Sequence, residues 1–193
     1  MKLHEKVILV DCDGVLLDWE YSFREWMIAR GHTLVDPTVY DQGKAWGITK
    51  ARARELIAEF NDSAAIGWLT PFRDAIKYVR MLHEEHGFVF HCITSLSLDP
   101  YAGKLREKNL HRVFGETVFE KIICLDTGAD KDEALLPYAG SGCFWVEDKP
   151  ENAEVGLKLG LSPILIEHGH NEDYDHPEFP KVKSWKEIYE MAV

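Results

Sequence analysis

Two aspartates follow directly on a run of apolar residues near the start of the chain. Asp11 and Asp13 come after VILV (7–10) and before Gly14. A strand that ends in this way delivers two carboxylates to one edge of a sheet, where they repel each other if both are ionised. The stretch VILVDCDGVLLDW therefore predicts that something positive belongs between these two side chains.

Five short apolar runs predict the strands that must position the carboxylates. The runs are near-continuous rather than alternating, which is typical of strands covered on both faces. They alternate with helical patterns, and this alternation indicates an α/β fold with a doubly wound, Rossmann-like parallel sheet and right-handed crossovers. The runs are VILV (7–10), FVFHCIT (88–94), KIICL (121–125), CFWVE (143–147) and PILIE (163–167).

Polar residues follow four of these predicted strands. In an open parallel sheet, ligands bind outside the carboxyl ends of the strands. Hard oxygen ligands favour Mg²⁺, which shares its coordination shell with a substrate phosphate, while lysine and backbone N–H groups hold the remaining phosphate oxygens. We therefore predict a magnesium ion and a phosphoryl group at this edge, held by Asp11, Asp13, Thr94, Ser95, Lys131, Glu147 and Asp148.

A long insertion separates the first two predicted strands. Residues 11–87 lie between them, whereas a simple crossover unit needs only about thirty residues. We predict a small helical cap subdomain over 18–70, inserted after the first strand, and a core domain formed by 1–17 and 71–193. The insertion holds four of the six tryptophans, namely Trp19, Trp26, Trp46 and Trp68. Because aromatic residues at helical spacing usually pack, packing is predicted for Trp26 and Trp68.

Composition excludes several classes of function. The chain has 193 residues, 46% of them hydrophobic, and a formal net charge of −11. A nucleic-acid polymer is not an expected partner, because binding it needs a basic stripe, and no run of about eighteen apolar residues predicts a membrane segment. The N-terminus enters a strand without a signal-peptide pattern, so a cytoplasmic protein is predicted. The four cysteines lack a C-x-x-C spacing and are predicted to be reduced thiols.

Taken in order, four stretches resemble the signature motifs of the haloacid dehalogenase (HAD) superfamily. They are DCDGV, a strand that ends in ITS, a lysine, and WVEDKPEN. The resemblance implies the HAD fold with a C1-type cap. It also implies that Asp11 is a nucleophile that forms an aspartyl-phosphate, and that Asp13 is the general acid and base, whose backbone carbonyl ligates Mg²⁺. A second aspartate two residues after the nucleophile favours phosphate chemistry over dehalogenation.

The same resemblance implies roles for the other residues at the strand ends. Thr94, the backbone N–H of Ser95 and Lys131 would bind the phosphate. Asp148 would ligate the metal, and Glu147 would act through a metal-bound water. The role implied for Lys131 is also expected on physical grounds, because a carboxylate is a weak nucleophile until positive charge neutralises the phosphoryl group.

Within the superfamily, the chain resembles the 5′(3′)-deoxyribonucleotidases through DCDGVLLDWE, HCITSLSLDPY and WVEDKPE. That resemblance implies a (deoxy)nucleoside monophosphate as the small phosphorylated substrate, with Trp19 and Trp46 near the base. The chain departs from the pattern at Leu96, where a proline is expected, and at Glu147, where an aspartate is expected. Three alternatives stay open: a phosphatase for a non-nucleotide phosphoester, a phosphomutase, and a HAD-fold binding protein that has lost its activity.

Further expectations concern features outside the motifs. His168 and His170 follow the last predicted strand without an evident third metal ligand, so a solvated loop is predicted for them. Asp74 and Asp99 are predicted to cap the helices that follow them. A homodimer is compatible with the sequence.

Overall fold

The structure, a computed structural model, describes residues 6–37 and 39–193 and contains a six-stranded sheet. Its strands are β1 (Val7–Val10), β2 (Val89–Ser95), β3 (Phe119–Leu125), β4 (Phe144–Glu147), β5 (Ser162–Ile166) and β6 (Lys181–Val182). They lie in the order β3-β2-β1-β4-β5-β6, and all neighbours are parallel. The predicted doubly wound, Rossmann-like sheet is confirmed; the two-residue strand β6 is an addition to the five predicted strands.

The winding direction of the chain reverses between β1 and β4. From β1 the chain passes outward through β2 and β3, and it later returns to build β4, β5 and β6 on the other side. The crevice outside the carboxyl ends of β1 and β4 is therefore the topological switch point, where ligands of such sheets bind. All four residues of β1 are buried, so the core fixes the place at which the two aspartates emerge.

Helices flank the sheet, and two of them show how aspartates organise their ends. Asp99 caps the helix that begins at Pro100, since its carboxylate accepts the Tyr101 N–H at 2.6 Å. The prediction for Asp74 is wrong, because its carboxylate accepts the N–H groups of Trp185 and Lys186 and so caps the last helix instead. The helices are α1 (Trp19–Ala29), α2 (Gln42–Ala45), α3 (Lys50–Asn61), α4 (Ala75–Glu84), α5 (Pro100–Phe114), α6 (Asp132–Leu135), α7 (Pro150–Lys158) and α8 (Trp185–Ala192).

None of the helices in the described ranges combines the length and the apolar character that crossing a membrane requires.

The insertion between β1 and β2 contains α1, α2 and α3. Asp18 caps α1 and Thr49 caps α3, each by accepting a backbone N–H of the first helical turn. Apolar side chains of α1 and α3, including Phe23 and Leu56, belong to the same continuous buried cluster as Ile8 of β1. The insertion is thus packed onto the sheet through apolar contacts, while the division into a core domain and a cap over 18–70 stays a prediction.

The tryptophans of the insertion differ in their surroundings. Trp26 packs against Phe60 with ring centres 5.6 Å apart, as predicted. The packing prediction for Trp68 is wrong: this residue is 71% exposed, and its ring is covered only in part by the guanidinium of Arg112, 4.1 Å from the ring centre. Helical spacing alone does not show which side of a helix or turn faces the core.

Gly156 of α7 packs closely against a strand of the sheet. A Cβ atom added there would lie 2.5 Å from Cδ1 of Trp145, which is fully buried in β4. We expect Gly156→Ala to lower the free energy of unfolding by about 1–3 kcal/mol, measured by urea denaturation, because the added methyl group would overlap the buried indole.

Gly103→Ala in α5 is the matched control. The nearest atom to an added Cβ is there Cys124 Sγ at 3.9 Å. This substitution should raise stability by up to about 1 kcal/mol, since alanine is the better helix former. Equal effects of the two substitutions would contradict the close packing of α7 on Trp145.

Candidate active site

The carboxyl ends of the central strands bring most of the predicted residues together. Asp11 follows β1 directly, Glu147 ends β4 and Asp148 follows it. One oxygen from each of these three carboxylates lies within 4.8 Å of the others, and all three residues are buried. Lys131 lies in the loop between β3 and α6, and its ammonium group reaches the carboxylate of Asp11. The convergence predicted from the order of the strands is therefore present in the structure.

Lys131 joins two of these carboxylates. Its Nζ lies 2.8 Å from Oδ1 of Asp11 and 2.8 Å from Oε1 of Glu147, and its side chain is only 1% exposed. Burial disfavours the charged ammonium, but the two carboxylates outweigh burial and raise the pKa of Lys131 above its ordinary value. The lysine is therefore a fixed positive charge beside the predicted nucleophile.

Glu147 is held by donors of the protein itself. Its Oε1 accepts from Lys131 and from Asn152 Nδ2, and its Oε2 accepts the backbone N–H groups of Asp148 and Lys149. Burial opposes its ionisation, yet Lys131 and these hydrogen bonds lower the pKa of Glu147 to about 2. Glu147 thus anchors Lys131 and the turn after β4, a role that the sequence did not indicate; the predicted contact with a metal-bound water stays a prediction.

Asp11 and Asp148 are the two carboxylates that lack full compensation. Burial raises the pKa of Asp11 to about 6 against the attraction of Lys131, with Glu147 and Asp13 adding repulsion. Burial, followed by the charges of Glu147 and Asp11, also raises the pKa of Asp148 well above its ordinary value. Oδ1 of Asp148 is buried without a hydrogen-bond partner among the described residues. An unpartnered carboxylate oxygen beside a second carboxylate fits a hard divalent cation such as Mg²⁺.

Asp13 has a different partner. Its two oxygens accept from Nη1 and Nη2 of Arg106 at 2.5 and 3.1 Å. Although burial disfavours the guanidinium charge, Asp13 outweighs this effect, so that the pKa of Arg106 lies above its ordinary value. Arg106 was not predicted as a site residue from the sequence. The available signal was its spacing, because it lies four residues from both Ala102 and Leu110 on the buried face of α5.

The two predicted hydroxyl residues end β2 but are placed differently. Thr94 is completely buried, and its Oγ1 has no hydrogen-bond partner among the described residues. Ser95 lines a cavity at the strand ends, and its hydroxyl donates to the carbonyl of Ala129 at 2.8 Å. The backbone N–H of Ser95, rather than its hydroxyl, is therefore the group to consider for phosphate binding.

A cavity of about 650 Å³ opens over the carboxylates and extends along the insertion. Trp19 lines it, with its ring stacked on Phe23 at 4.7 Å and its Nε1 donating to Asn61. Trp46 lies elsewhere: it is 5% exposed, donates to Gln42 Oε1, and does not line this cavity. The predicted place of Trp46 beside the ligand is therefore not supported by the geometry. Cationic side chains of the insertion also line the cavity, namely Arg24, Lys50 and Arg54.

His168 and His170 are part of the site, and the prediction of a solvated loop for them is wrong. His168 Nε2 donates to the carbonyl of Gly14 at 2.7 Å, and His170 Nε2 donates to the carbonyl of Asp148 at 2.9 Å. Burial lowers the pKa of both, that of His168 to about 4, so these rings are neutral donors near pH 7. They fix the two loops that carry Asp11 and Asp148.

Gly14 is required by this close approach. Its φ is +75°, and an added Cβ would lie 2.7 Å from Oδ2 of Asp148. A side chain at position 14 would therefore strain the turn and would also overlap the carboxylate of Asp148.

Comparisons with solved structures identify the fold. A putative phosphatase from Clostridium difficile matches with a TM-score of 0.67 and 16% identity over 100% of both chains. A haloacid dehalogenase-like family hydrolase from Streptococcus pneumoniae matches with a TM-score of 0.66 and 14% identity, over 96% of this chain and 97% of that one. The chain shares the HAD fold of these two structures. The magnesium-bound putative HAD-hydrolase YfnB from Bacillus subtilis shares this fold, with a TM-score of 0.63 and 12% identity over 97% of this chain and 98% of that one.

Sequence comparison is less informative. No protein-family model matches the chain. An uncharacterized 32.4 kDa protein of Enterobacteria phage T4, from the Gp30-rIII intergenic region, is 29% identical over 124 residues. The match covers 61% of this chain and 44% of that protein, so the chain spans less than half the length of this relative.

Because the pKa of Asp148 is raised in the folded protein, the stability of the fold should depend on pH. A carboxyl group whose pKa is higher in the folded protein destabilises the fold progressively as the pH rises above about 4, its value in the unfolded chain. Without metal, Asp148→Asn should therefore have a higher Tm than the wild type near neutral pH, with a difference that shrinks toward about pH 4.

Magnesium supplies the second measurement. Mg²⁺ should raise the Tm of the wild type, because it binds only the folded protein, and should have little effect on Asp148→Asn. Asp173→Asn, at an exposed position, is the matched control and should behave like the wild type. If Mg²⁺ raised the Tm of Asp148→Asn as much as that of the wild type, Asp148 would not be the metal ligand.

Proposed function

We propose that the protein is a Mg²⁺-dependent phosphatase that hydrolyses a small phosphomonoester through an aspartyl-phosphate on Asp11. The observation that carries this proposal is that Asp11 lies beside both the fixed ammonium of Lys131 and the carboxylate of Asp148, whose Oδ1 has no hydrogen-bond partner in the described part of the chain. These three residues lie at the topological switch point of a HAD fold, where ligands of parallel sheets bind. The hydrolase and phosphatase names of structures with this fold support the proposal.

Each residue has a task in this reaction. Lys131 engages Oδ1 of Asp11, which leaves Oδ2 as the oxygen available to attack phosphorus. The hydroxyl of Thr94 and the N–H of Ser95 would hold phosphoryl oxygens, and Asp13 would give a proton to the leaving oxygen and later accept one from water. Asp11 and Asp148 would hold the magnesium ion. When bound, this ion neutralises charge on the phosphoryl oxygens.

The substrate class that we propose is a (deoxy)nucleoside monophosphate. The cavity of about 650 Å³ has the size of sites for drug-sized ligands and exceeds what a phosphoryl group alone requires. Trp19 on its wall could stack on a planar base, although Phe23 covers one face of the indole. A non-nucleotide phosphoester remains the second candidate, because Trp46, one of the two tryptophans predicted to lie near a base, does not line the cavity.

Release of inorganic phosphate tests the reaction. We expect hydrolysis of a member of a panel of nucleoside monophosphates, sugar phosphates and small phosphoesters with Mg²⁺ and none with EDTA. Asp11→Asn should lower kcat by at least about a thousandfold, because it removes the nucleophile. It should fold normally, since Lys131 keeps Glu147 as a partner and one of the repelling carboxylates is gone.

Wild-type turnover by Asp11→Asn would contradict the covalent mechanism. A wild-type protein that binds phosphate without hydrolysing any ester would instead support the alternative of a binding protein. Phosphate transfer within the substrate, without release, would identify a phosphomutase.

Trp19→Ala tests the choice of substrate. If the indole stacks on a base, kcat/KM for a nucleoside monophosphate should fall by about tenfold to a hundredfold, which corresponds to about 1–3 kcal/mol of stacking. Hydrolysis of glycerol phosphate should change much less. Trp68→Ala, at an exposed tryptophan outside the cavity, is the matched control. Equal losses for both substrates would show that Trp19 serves only in packing.

A further inference from the structure

One side of α3 forms part of the cavity wall. The residues of α3 that line the cavity recur at helical spacing and form a single stripe: Lys50, Ala53, Arg54, Ile57 and Asn61. Asn61 is the end of the stripe nearest the sheet, because its Nδ2 donates to the carbonyl of Leu96, the residue after β2, at 2.9 Å. The opposite end of the stripe carries the two cationic side chains, those of Lys50 and Arg54.

These two cations lie far along the helix from the strand ends. An α-helix rises by about 1.5 Å per residue, so Arg54 and Lys50 are about 10 and about 16 Å from Asn61 along the helix axis. Ser95, whose backbone N–H is proposed to hold the phosphoryl group, precedes Leu96 and therefore lies near the Asn61 end. A ligand with its phosphoryl group at the strand ends would meet the two cations with a different part of its structure.

No carboxylate in the described part of the chain forms an ion pair with Lys50 or Arg54, and no hydrogen bond engages either side-chain head there. The two residues are also four positions apart, a spacing at which like charges on a helix repel each other. The other arginines of 18–70 each have a glutamate partner at 2.9–4.0 Å: Arg24 with Glu20, Arg30 with Glu59 and Arg52 with Glu55.

The carboxylates of the insertion that line the same cavity are engaged elsewhere. Asp18 accepts the N–H of Tyr21, and Asp41 accepts the N–H of Lys44, so that each caps a helix. Glu20 is the partner of Arg24. Two positive charges on the cavity wall are thus left available to an anionic group of a ligand.

We propose that Lys50 and Arg54 form a subsite for a second phosphate of the substrate, distant from the phosphate that is hydrolysed. This inference rests on the proposed function and narrows its substrate to a phosphomonoester with a further phosphate at its far end, such as a nucleoside bisphosphate. The guanidinium of Arg54 presents two parallel donors to phosphate oxygens, and the ammonium of Lys50 adds a point charge. Because the chain has a net charge of −11, a second phosphate is attracted by these local cations and not by the protein as a whole.

Pairs of substrates that differ by one phosphate test the subsite. The constant kcat/KM is measured for deoxyadenosine 3′,5′-bisphosphate and deoxyadenosine 5′-monophosphate, and for glucose 1,6-bisphosphate and glucose 6-phosphate, so that one pair does not involve a base. We expect the wild type to prefer the bisphosphate in at least one pair. Lys50→Gln combined with Arg54→Gln should lower this preference at least about tenfold, because charge-assisted hydrogen bonds are lost, and mainly through KM.

Arg52→Gln is the matched control. Arg52 lies on the same helix but does not line the cavity, so its replacement should leave the preference for the bisphosphate unchanged. Glutamine is nearly as good a helix former as lysine and arginine, and positions 50 and 54 are exposed, so the double variant should fold like the wild type.

Binding is measured independently of turnover in an Asp11→Asn background, by calorimetry with the same four compounds. The Kd of the preferred bisphosphate should rise at least about tenfold when Lys50→Gln and Arg54→Gln are added, since the same hydrogen bonds are lost. A wild type without preference for either bisphosphate, or a preference that the double variant retains, would overturn the subsite. If the wild type hydrolyses none of the esters while the bisphosphate still binds through Lys50 and Arg54, the proposed function fails and the subsite stands.

Discussion

The buried ammonium of Lys131, held between Asp11 and Glu147, is the interaction on which the site depends. One ammonium faces three buried carboxylates, because Asp148 belongs to the same cluster. If all four groups are ionised, two negative charges remain without compensation, which is the charge of one divalent cation. Burial makes this imbalance costly, and the raised pKa values of Asp11 and Asp148 express it. The fold thus holds an acidic cluster that could bind a metal ion.

The positions of the carboxylates in this cluster are maintained by hydrogen-bond donors that the fold itself holds in place. Glu147 binds two backbone N–H groups and Asn152 at the start of α7, so the turn after β4 cannot shift without breaking several hydrogen bonds. The carbonyl of Asp148 accepts from His170 and from Asn171. A reaction that depends on charge stabilisation is fastest where the charges need no rearrangement. The loops after β4 and β5 supply this rigidity.

The sequence was sufficient to predict the location of the groups that lie at or after the ends of strands. Asp11, Lys131 and Asp148 were found because a parallel sheet brings the ends of its strands to one edge, whatever the details of packing. Arg106 and Asn152 were not found, because their roles depend on which side chain they meet across the fold, and local pattern carries no information about that.

The same distinction explains the wrong predictions. His168 and His170 were assigned to a solvated loop because nothing in the spacing of EHGHN shows that the carbonyls of Gly14 and Asp148 lie beside them. Trp68 was predicted to pack, yet it is exposed. The insertion has no repeating sheet geometry to fix the direction of its side chains.

Asp11 and Asp13 stand two residues apart, and the fold gives each its own cation. Lys131 approaches Asp11 from the loop after β3, while Arg106 approaches Asp13 from α5. Two separate ion pairs keep the two carboxylates from competing for one partner, although the charge of Asp13 still contributes to the raised pKa of Asp11. A single shared lysine would have coupled the nucleophile to the acid, and their distinct positions in the proposed reaction would then depend on one flexible side chain. The two aspartates of DCD therefore differ in their surroundings because of tertiary contacts from α5 and from the loop after β3, not because of their own sequence.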